Sequence, residues 1–575
     1  MMPITKIVLA VPPLFDVSRY RFADWQNNKA TRFHPLGAMY LGGYLRDVFP
    51  DIQIHIFDAN VEIPLHFRIN PELRDNPKTD CEQVFATLLR DYLAAENPQL
   101  IGISGLFHSL GKQFHFMTAR AREACPNATI VVGGPYPSGS PHIVMRDNAV
   151  DYIIAGEGEL RFAALIRYLR GESGMETLDG ITMRGPDGDL QTPRIEGFSR
   201  SGALDLNTAP YPARDLLRQQ EYTGVSSERS DAYLYRENYL TTAMYSSRGC
   251  PNLCTYCNSG AYNFYGPKFR WQTVERTIEE VQHCIDVYGV DEVQFYDENL
   301  TASKKVTYEL FTALNELDVN WTFVTLELEK LERETLIAYT KKRSMSWFSI
   351  GVESGNDRVL KDVAGRRASR GVIQEKMSMV RGVLTEKCFV NASFILGFPG
   401  ETISEMFDTV DLAKTLEIDW AAFFCYMPLP GTPLYDLSVE QGYLDEDDVD
   451  FANIVQDQSI LNTADWSGDE VTFFRHWANY EVNFIGNKAK LDKAEKMING
   501  YNYVLSVVPN HFFALYALGE CYEHLGKQDK AQAYFERAKK QVDAEDFAPF
   551  VPFFDLPAIG RPKAAEIRDR FPSQA

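Results

Sequence analysis

Short apolar runs rich in β-branched residues alternate with helix-period segments from Lys6 to Met427, and that alternation narrows the fold more than anything else in the chain. Lys6–Val11 stops at Pro12-Pro13, Ile52–Phe57 stops at Asp58, and Leu100–Ser104, Thr129–Gly134 and Val150–Gly156 each run into glycine. Ile52–Phe57 alternates, while an apolar, β-branched run such as Lys6–Val11 suits a strand buried on both faces of a parallel sheet. Pro35–Arg46 and Phe114–Ala124 between them have helical periodicity. The pattern predicts a doubly wound, Rossmann-like α/β domain over residues 1–195. Ligands of such sheets bind beyond the carboxyl ends of the strands. Ser104-Gly105, Gly133-Gly134-Pro135 and Gly156-Glu157-Gly158-Glu159 lie at those ends, where glycine lets backbone come close to a bulky ligand.

Residues 196–238 contain the proline-punctuated stretch Leu204–Pro212 and read as a linker. A second alternation follows. Strands are expected at Tyr239–Ser246, Glu292–Tyr296, Trp321–Leu326, Phe348–Val352, Asn391–Leu396 and Ala421–Met427, with helices such as Val274–Tyr288 and Lys304–Glu316 between them. Such a repeat predicts a partial (β/α)6 barrel over 239–440, with its site at the strand ends. Residues 441–475 are acidic and irregular and read as a second linker. In 476–575, Leu515, Leu518-Gly519, Tyr522, Ala531, Phe535 and Ala538 fall on the spacing of a tetratricopeptide helical pair. So short an array cannot form a long solenoid, so it is expected to pack on the barrel, either capping the site or binding a protein partner.

Cys250, Cys254 and Cys257 lie in Arg248-Gly-Cys-Pro-Asn-Leu-Cys-Thr-Tyr-Cys257, on a loop opened by Gly249 and Pro251. Three thiolates within eight residues can converge on one soft metal centre. A closed iron–sulfur cube needs four protein ligands. Three leave one iron open to an outside molecule, the logic that separates open catalytic metal sites from closed structural ones. Zinc would need a fourth ligand, and no second Cys/His pair at finger spacing follows.

The Cys-x3-Cys-x2-Cys pattern, with Tyr256 before its last cysteine, resembles the radical S-adenosylmethionine (SAM) enzymes. The resemblance implies a 4Fe-4S cluster on the three cysteines and SAM on its free iron. It also implies SAM contacts from Tyr256, from Asp297 and Glu298 in Tyr296-Asp-Glu-Asn299, from Glu353 and Ser354, and from Gly397, Pro399 and Gly400. Pro428–Tyr435 resembles the sixth-strand exit of the subgroup that carries cobalamin. In that subgroup an N-terminal domain cradles cobalamin, which here would involve Ser104, Gly105, Gly133, Gly134, Pro135, Gly156, Glu157, Gly158 and Glu159. The Asp-x-His-x-x-Gly motif that supplies a histidine to cobalt in many cobalamin proteins is absent. His34 and His108 read as packing residues, so no protein histidine is expected below cobalt. Only Cys81 and Cys125 precede Cys250, which argues against the methylthiotransferases and their second cluster.

The resemblance implies an enzyme that cleaves SAM to a 5′-deoxyadenosyl radical and modifies an unactivated carbon, most commonly by methyl transfer from methylcobalamin. Ring-forming and rearrangement enzymes share the architecture. A cofactor-binding sensor or scaffold is the alternative of another class. The expected partners are an organic small-molecule or peptide substrate and an electron donor such as flavodoxin or ferredoxin. The substrate itself is not legible; the aromatic run Tyr262–Phe269 fits an extended substrate and barrel packing equally. No residue is assigned as catalytic. Cys425, on a strand end, reads as a packing thiol.

Composition sets the remaining bounds. A net charge of −21 over 575 residues disfavours nucleic-acid binding by bulk electrostatics. No window of about twenty apolar residues predicts a membrane span. Ile7–Val11 reads as a strand, not a signal peptide, and nine cysteines, three of them clustered, point to a reducing cytoplasm.

Overall fold

The computed structural model describes residues 3–19, 33–76, 78–193, 203–225, 235–257, 269–323, 326–341, 347–386, 388–446, 449, 454–485 and 488–542. The chain divides into two compact units, Met1–Ser226 with Tyr235–Thr325 and Met427–Val455, and Ser227–Leu234 with Leu326–Tyr426 and Gln456–Ala575.

The first unit is built on a seven-stranded sheet. Its strands are β1 (Lys6–Val11), β2 (Gln53–Asp58), β3 (Leu100–Ser104), β4 (Thr129–Gly133), β5 (Tyr152–Ile154), β6 (Ile181–Arg184) and β7 (Leu190–Gln191), in the order β2-β1-β3-β4-β5-β6-β7. The pairs from β2 to β5 are parallel, as expected, and β6 and β7 add an antiparallel hairpin at the edge. Side chains alternate across the pleat. Ile7 and Leu9 therefore join one core with Ile54, Val131, Leu45 and Phe162. Val8 and Ala10 join the other with Phe57, Ile101, Ile130, Phe85 and Met117. Both faces are buried along β1, β3 and β4, which is why these three strands read as unbroken apolar runs.

A second sheet in the same unit has β8 (Thr223–Val225), β9 (Tyr235–Met244), β12 (Glu292–Phe295) and β13 (Asn320–Phe323), in the order β13-β12-β9-β8. The pairs β9–β12 and β12–β13 are parallel, and β8 is antiparallel to β9. The stretch 196–238, expected as a linker, thus contributes β8 and the start of β9 to a sheet. Between β9 and β12 lies a two-residue antiparallel ribbon of β10 (Ser247–Arg248) and β11 (Arg270–Trp271). Helix Val274–Tyr288 follows, capped by Thr273 at its start and ended by Gly289 at φ 63°.

The second unit holds a three-stranded parallel sheet of β14 (Trp347–Glu353), β15 (Phe389–Leu396) and β16 (Trp420–Cys425), in that order. Helices Arg370–Arg381 and Ile403–Thr415 make the crossovers. Helix Gly468–Tyr480 starts inside the stretch expected as the linker 441–475, because Ser467 and Glu470 close a capping box there. Helices Ala494–Val507, Phe512–His524 and Gln528–Val542 follow. Gly519 lets the last two meet closely, since a Cβ on it would stand 2.4 Å from the Phe535 ring. Met497, Tyr501, Leu518 and Cys521 pack on Phe389 of β15, so the C-terminal helices rest on the three-stranded sheet of their own unit.

Candidate functional site

β9 leads into the cysteine loop through buried polar groups. The Tyr245 amide donates to the Tyr40 hydroxyl at 3.0 Å. Asp297, just past β12, accepts from the Ser246 amide (3.1 Å), the Ser246 hydroxyl (2.8 Å) and the Ser247 hydroxyl. Glu298 accepts from the Gly249 amide at 3.2 Å, and Gly249 turns at φ 85°. Asn299 then donates its amide N–H to the Cys250 sulfur at 3.6 Å, the kind of contact that tunes a metal-bound thiolate. The run Asp297–Asn299 thus grips the neck of the cysteine loop. Burial pushes the Asp297 carboxyl up to about 6, opposed by the serine hydroxyls, and the Glu298 carboxyl up to about 8.

Cys250, Cys254 and Cys257 are half-buried, and the Cys257 amide donates to the Cys254 carbonyl. Tyr256 is half-buried in the same loop. Among the described residues no three His, Cys, Asp or Glu side chains are gathered as a ready-made metal cage, these three included. The donor set itself fits an iron–sulfur cluster: three thiols on one short loop, with an amide N–H aimed at the first sulfur. Pro428–Tyr435 supports the loop, with the Leu434 amide donating to the Thr255 carbonyl at 3.1 Å. Of the aromatic run Tyr262–Phe269, residues 262–268 lie outside the described residues.

At the first sheet the strand order reverses between β1 and β3, the switch point where ligands of such folds bind. The expected loops interlock on the β3 side of it, after β3, β4 and β5. The Gly105 amide donates to the Gly133 carbonyl at 2.8 Å, the Tyr136 amide to the Gly105 carbonyl at 3.1 Å, and the Gly156 amide to the Ser138 hydroxyl at 3.1 Å. Gly134 has φ 101°, and a Cβ on it would stand 2.5 Å from the Gly105 carbonyl oxygen. Next to Ser104-Gly105, Leu106 and Phe107 are 43% and 52% exposed. Exposed apolar side chains at a switch point suit a large flat macrocycle, and sequence reasoning passed over them although they adjoin the glycine signal. Glu157 and Glu159, assigned from sequence to cobalamin, engage Arg248 and Arg270. His34 stacks on Tyr222, and burial and the Arg214 charge push it down to about 3. His108 packs edge-on against Tyr136, pushed down by burial to about 4.

The remaining residues assigned to SAM belong to the second unit. A bulge between Gly351 and Glu353 leaves Glu353 at φ 69°, a left-handed conformation uncommon outside glycine, and its carboxylate pairs with Arg366 at 3.0 Å. Ser354 is fully buried; its hydroxyl accepts from the Asn356 amide and bonds Thr409 at 3.2 Å. Gly397 and Gly400 both have positive φ and bracket Pro399. Buried Glu401 ties this loop, one oxygen accepting from the Gly397 (2.8 Å) and Phe398 (3.1 Å) amides. Its other oxygen has no hydrogen-bond partner among the described residues. Cys425 is 2% exposed, and its amide donates to the Gln456 carbonyl at 2.8 Å.

The sequence profile of the Radical SAM superfamily matches residues 244–413, and that of the B12 binding domain matches residues 28–166. The chain is a radical SAM protein with a B12-binding domain. This radical SAM chain is 26% identical, over 70% of its length and 78% of the relative's, to the cytidylyl-2-hydroxyethylphosphonate methyltransferase of Streptomyces wedmorensis. It is also 26% identical, over 57% of its length and 58% of the relative's, to the anaerobic magnesium-protoporphyrin IX monomethyl ester cyclase of Synechocystis. Its fold matches the solved cobalamin-dependent SAM radical enzyme OxsB, bound to aqua-cobalamin and SAM, with TM-score 0.61 at 15% identity over 99% of this chain and 83% of that one. The α/β class, with a B12-binding domain, a radical SAM core and C-terminal helices, stands as expected. No helix among the described residues is long and apolar enough to cross a membrane.

Proposed function

We propose that this radical SAM chain is a cobalamin-dependent methyltransferase acting on an unactivated carbon of an organic small molecule or peptide. The observation that carries the reading is the presence, in one compact unit, of a three-thiol loop after β9 and interlocked glycine loops at the carboxyl ends of β3, β4 and β5. Residues 1–195 would serve cobalamin, 239–440 the cluster and SAM, and 476–575 a helical cap or partner surface. Cys250, Cys254 and Cys257 would hold the 4Fe-4S cluster, and Gly105, Gly133, Gly134 and Gly156 would admit cobalamin. When bound, these groups supply one-electron cleavage of SAM and a methyl carrier. The protein's own work is positioning. Asp297, Glu298 and Asn299 hold the neck of the cysteine loop, Glu401 shapes the Gly397–Gly400 turn, and Thr409 holds Ser354. A soluble donor such as flavodoxin or ferredoxin in the cytoplasm would supply the electron.

Similarity to the cyclase keeps ring formation without methyl transfer as a second reading. Anaerobic protein reconstituted with iron, sulfide and hydroxocobalamin, then given reductant and SAM, separates the two once a substrate is supplied. 5′-Deoxyadenosine together with S-adenosylhomocysteine supports methyl transfer, whereas 5′-deoxyadenosine alone supports the cyclase reading. Cys254→Ala should lose cluster absorbance and SAM cleavage while still folding; retained cleavage would defeat the assignment. Because His34 and His108 are buried in protein contacts, cob(II)alamin bound here should show no axial nitrogen splitting in its paramagnetic resonance spectrum.

A further inference from the structure

The ribbon β10–β11 closes the neck of the cysteine loop, and its register sets Arg248 directly opposite Arg270. Both arginines reach the same place, the Gly156–Glu159 loop at the carboxyl end of β5. Arg248 meets Glu159 at 2.7 Å and Glu157 at 3.3 Å, and Arg270 meets the other oxygen of Glu157. Arg248 is 4% exposed and Glu159 5%. The Arg248 guanidinium also lies 5.0 Å over the Tyr40 ring, whose hydroxyl accepts the Tyr245 amide just before the ribbon. Arg270 donates in addition to the Leu204 carbonyl at 2.9 Å. A planar fork bridging two carboxylates in a buried setting fixes orientation as well as distance.

We infer that Arg248 and Arg270 are positioning residues that lock the neck of the cysteine loop to the β5 loop, so that cluster binding and cobalamin binding favour each other. The inference rests on the proposed function, in which these two loops hold those two groups. Each group orders its own loop, and the shared ion pairs carry that order to the other. Such coupling is reciprocal: the factor by which the cluster tightens cobalamin equals the factor by which cobalamin tightens the cluster.

The test is an anaerobic absorbance titration of the full chain with hydroxocobalamin, before and after cluster reconstitution, with iron and sulfide assayed in parallel. Wild type should bind cobalamin at least about five-fold more tightly with the cluster in place. Glu159→Gln should retain both cofactors separately while that factor falls toward one. Glu157→Gln, a milder change that leaves the Arg248–Glu159 pair, should lose part of it, and Arg248→Lys, which keeps the charge but not the fork, should also fall between. A factor unchanged in Glu159→Gln and Glu157→Gln overturns the inference. So does a wild type that binds both cofactors with no coupling, a result that leaves the proposed function standing. A wild type that binds neither overturns both.

Discussion

Asn483 holds Ala421 with both arms of its side-chain amide: Nδ2 donates to the Ala421 carbonyl at 2.6 Å, and Oδ1 accepts the Ala421 amide at 2.9 Å. Asn479 does the same to Phe423, whose carbonyl also accepts from Arg475. β16 is an edge strand of its sheet, and its open backbone groups at Ala421 and Phe423 are thereby satisfied by side chains, while the Cys425 amide donates to the Gln456 carbonyl. The match is geometric. Asn479 lies in helix Gly468–Tyr480 and Asn483 in the π-helical turn Glu481–Ile485 that continues it, which sets the two amides against alternate residues of β16.

Asn483→Ala should therefore cost about 1–3 kcal/mol by stranding a buried amide and carbonyl. Urea unfolding of the apo-protein measures it. A loss below a few tenths of a kcal/mol would mean that water replaces the amide without penalty.

Gly134→Ala meets both a positive φ and a 2.5 Å approach to the Gly105 carbonyl oxygen. It should lower stability by about 2 kcal/mol or more and weaken hydroxocobalamin binding. Gly442→Ala is the control, with φ 70° and open space around its Cβ. It should carry only the conformational cost, about 1 kcal/mol, and leave cobalamin binding untouched. Equal cobalamin affinity in both variants would remove Gly134 from the cofactor loops.

Burial pushes the Glu401 carboxyl up from 4.5 to about 8, outweighing its two backbone hydrogen bonds. A raised folded value means the proton is held more tightly in the native state. Its stabilisation is complete below about pH 4.5 and is lost as pH rises through about 8. Glu401→Gln keeps an acceptor for Gly397 and Phe398 but has no proton to lose. The stability of the variant relative to wild type should rise between pH 5 and 8, read from unfolding midpoints. Parallel pH profiles would show that Glu401 is charged throughout.

For Cys425, burial pushes the thiol up to about 12, so it is no thiolate at neutral pH. Cys425→Ala should cost about 1 kcal/mol of stability. Formation of 5′-deoxyadenosine and product should stay within a few-fold of wild type. Persisting SAM cleavage with no product would move this residue into the chemistry.

What could be read from the chain alone was whatever depends on neighbours in sequence. The three cysteines are a donor set because eight consecutive residues carry them. Gly134, Gly397 and Gly400 marked loops because positive φ is a demand that one residue meets by itself. β1, β3 and β4 were legible because both their faces are buried, which writes an unbroken apolar run, whereas the edge strand β2 alternates. Tertiary structure decided where the charges go. Glu157 and Glu159 looked like ligand residues at a strand end, yet Glu159 meets Arg248, 89 positions later, and Glu157 meets Arg248 and Arg270, 91 and 113 positions later. Asp297 and Glu298 looked available to SAM, yet they hold the serines and glycine before Cys250, and Asn483 reaches a strand 62 residues earlier. A carboxylate or amide carries no mark of its partner in its own spacing. Only packing that brings distant segments together, and shuts water out between them, makes one partner better than the rest.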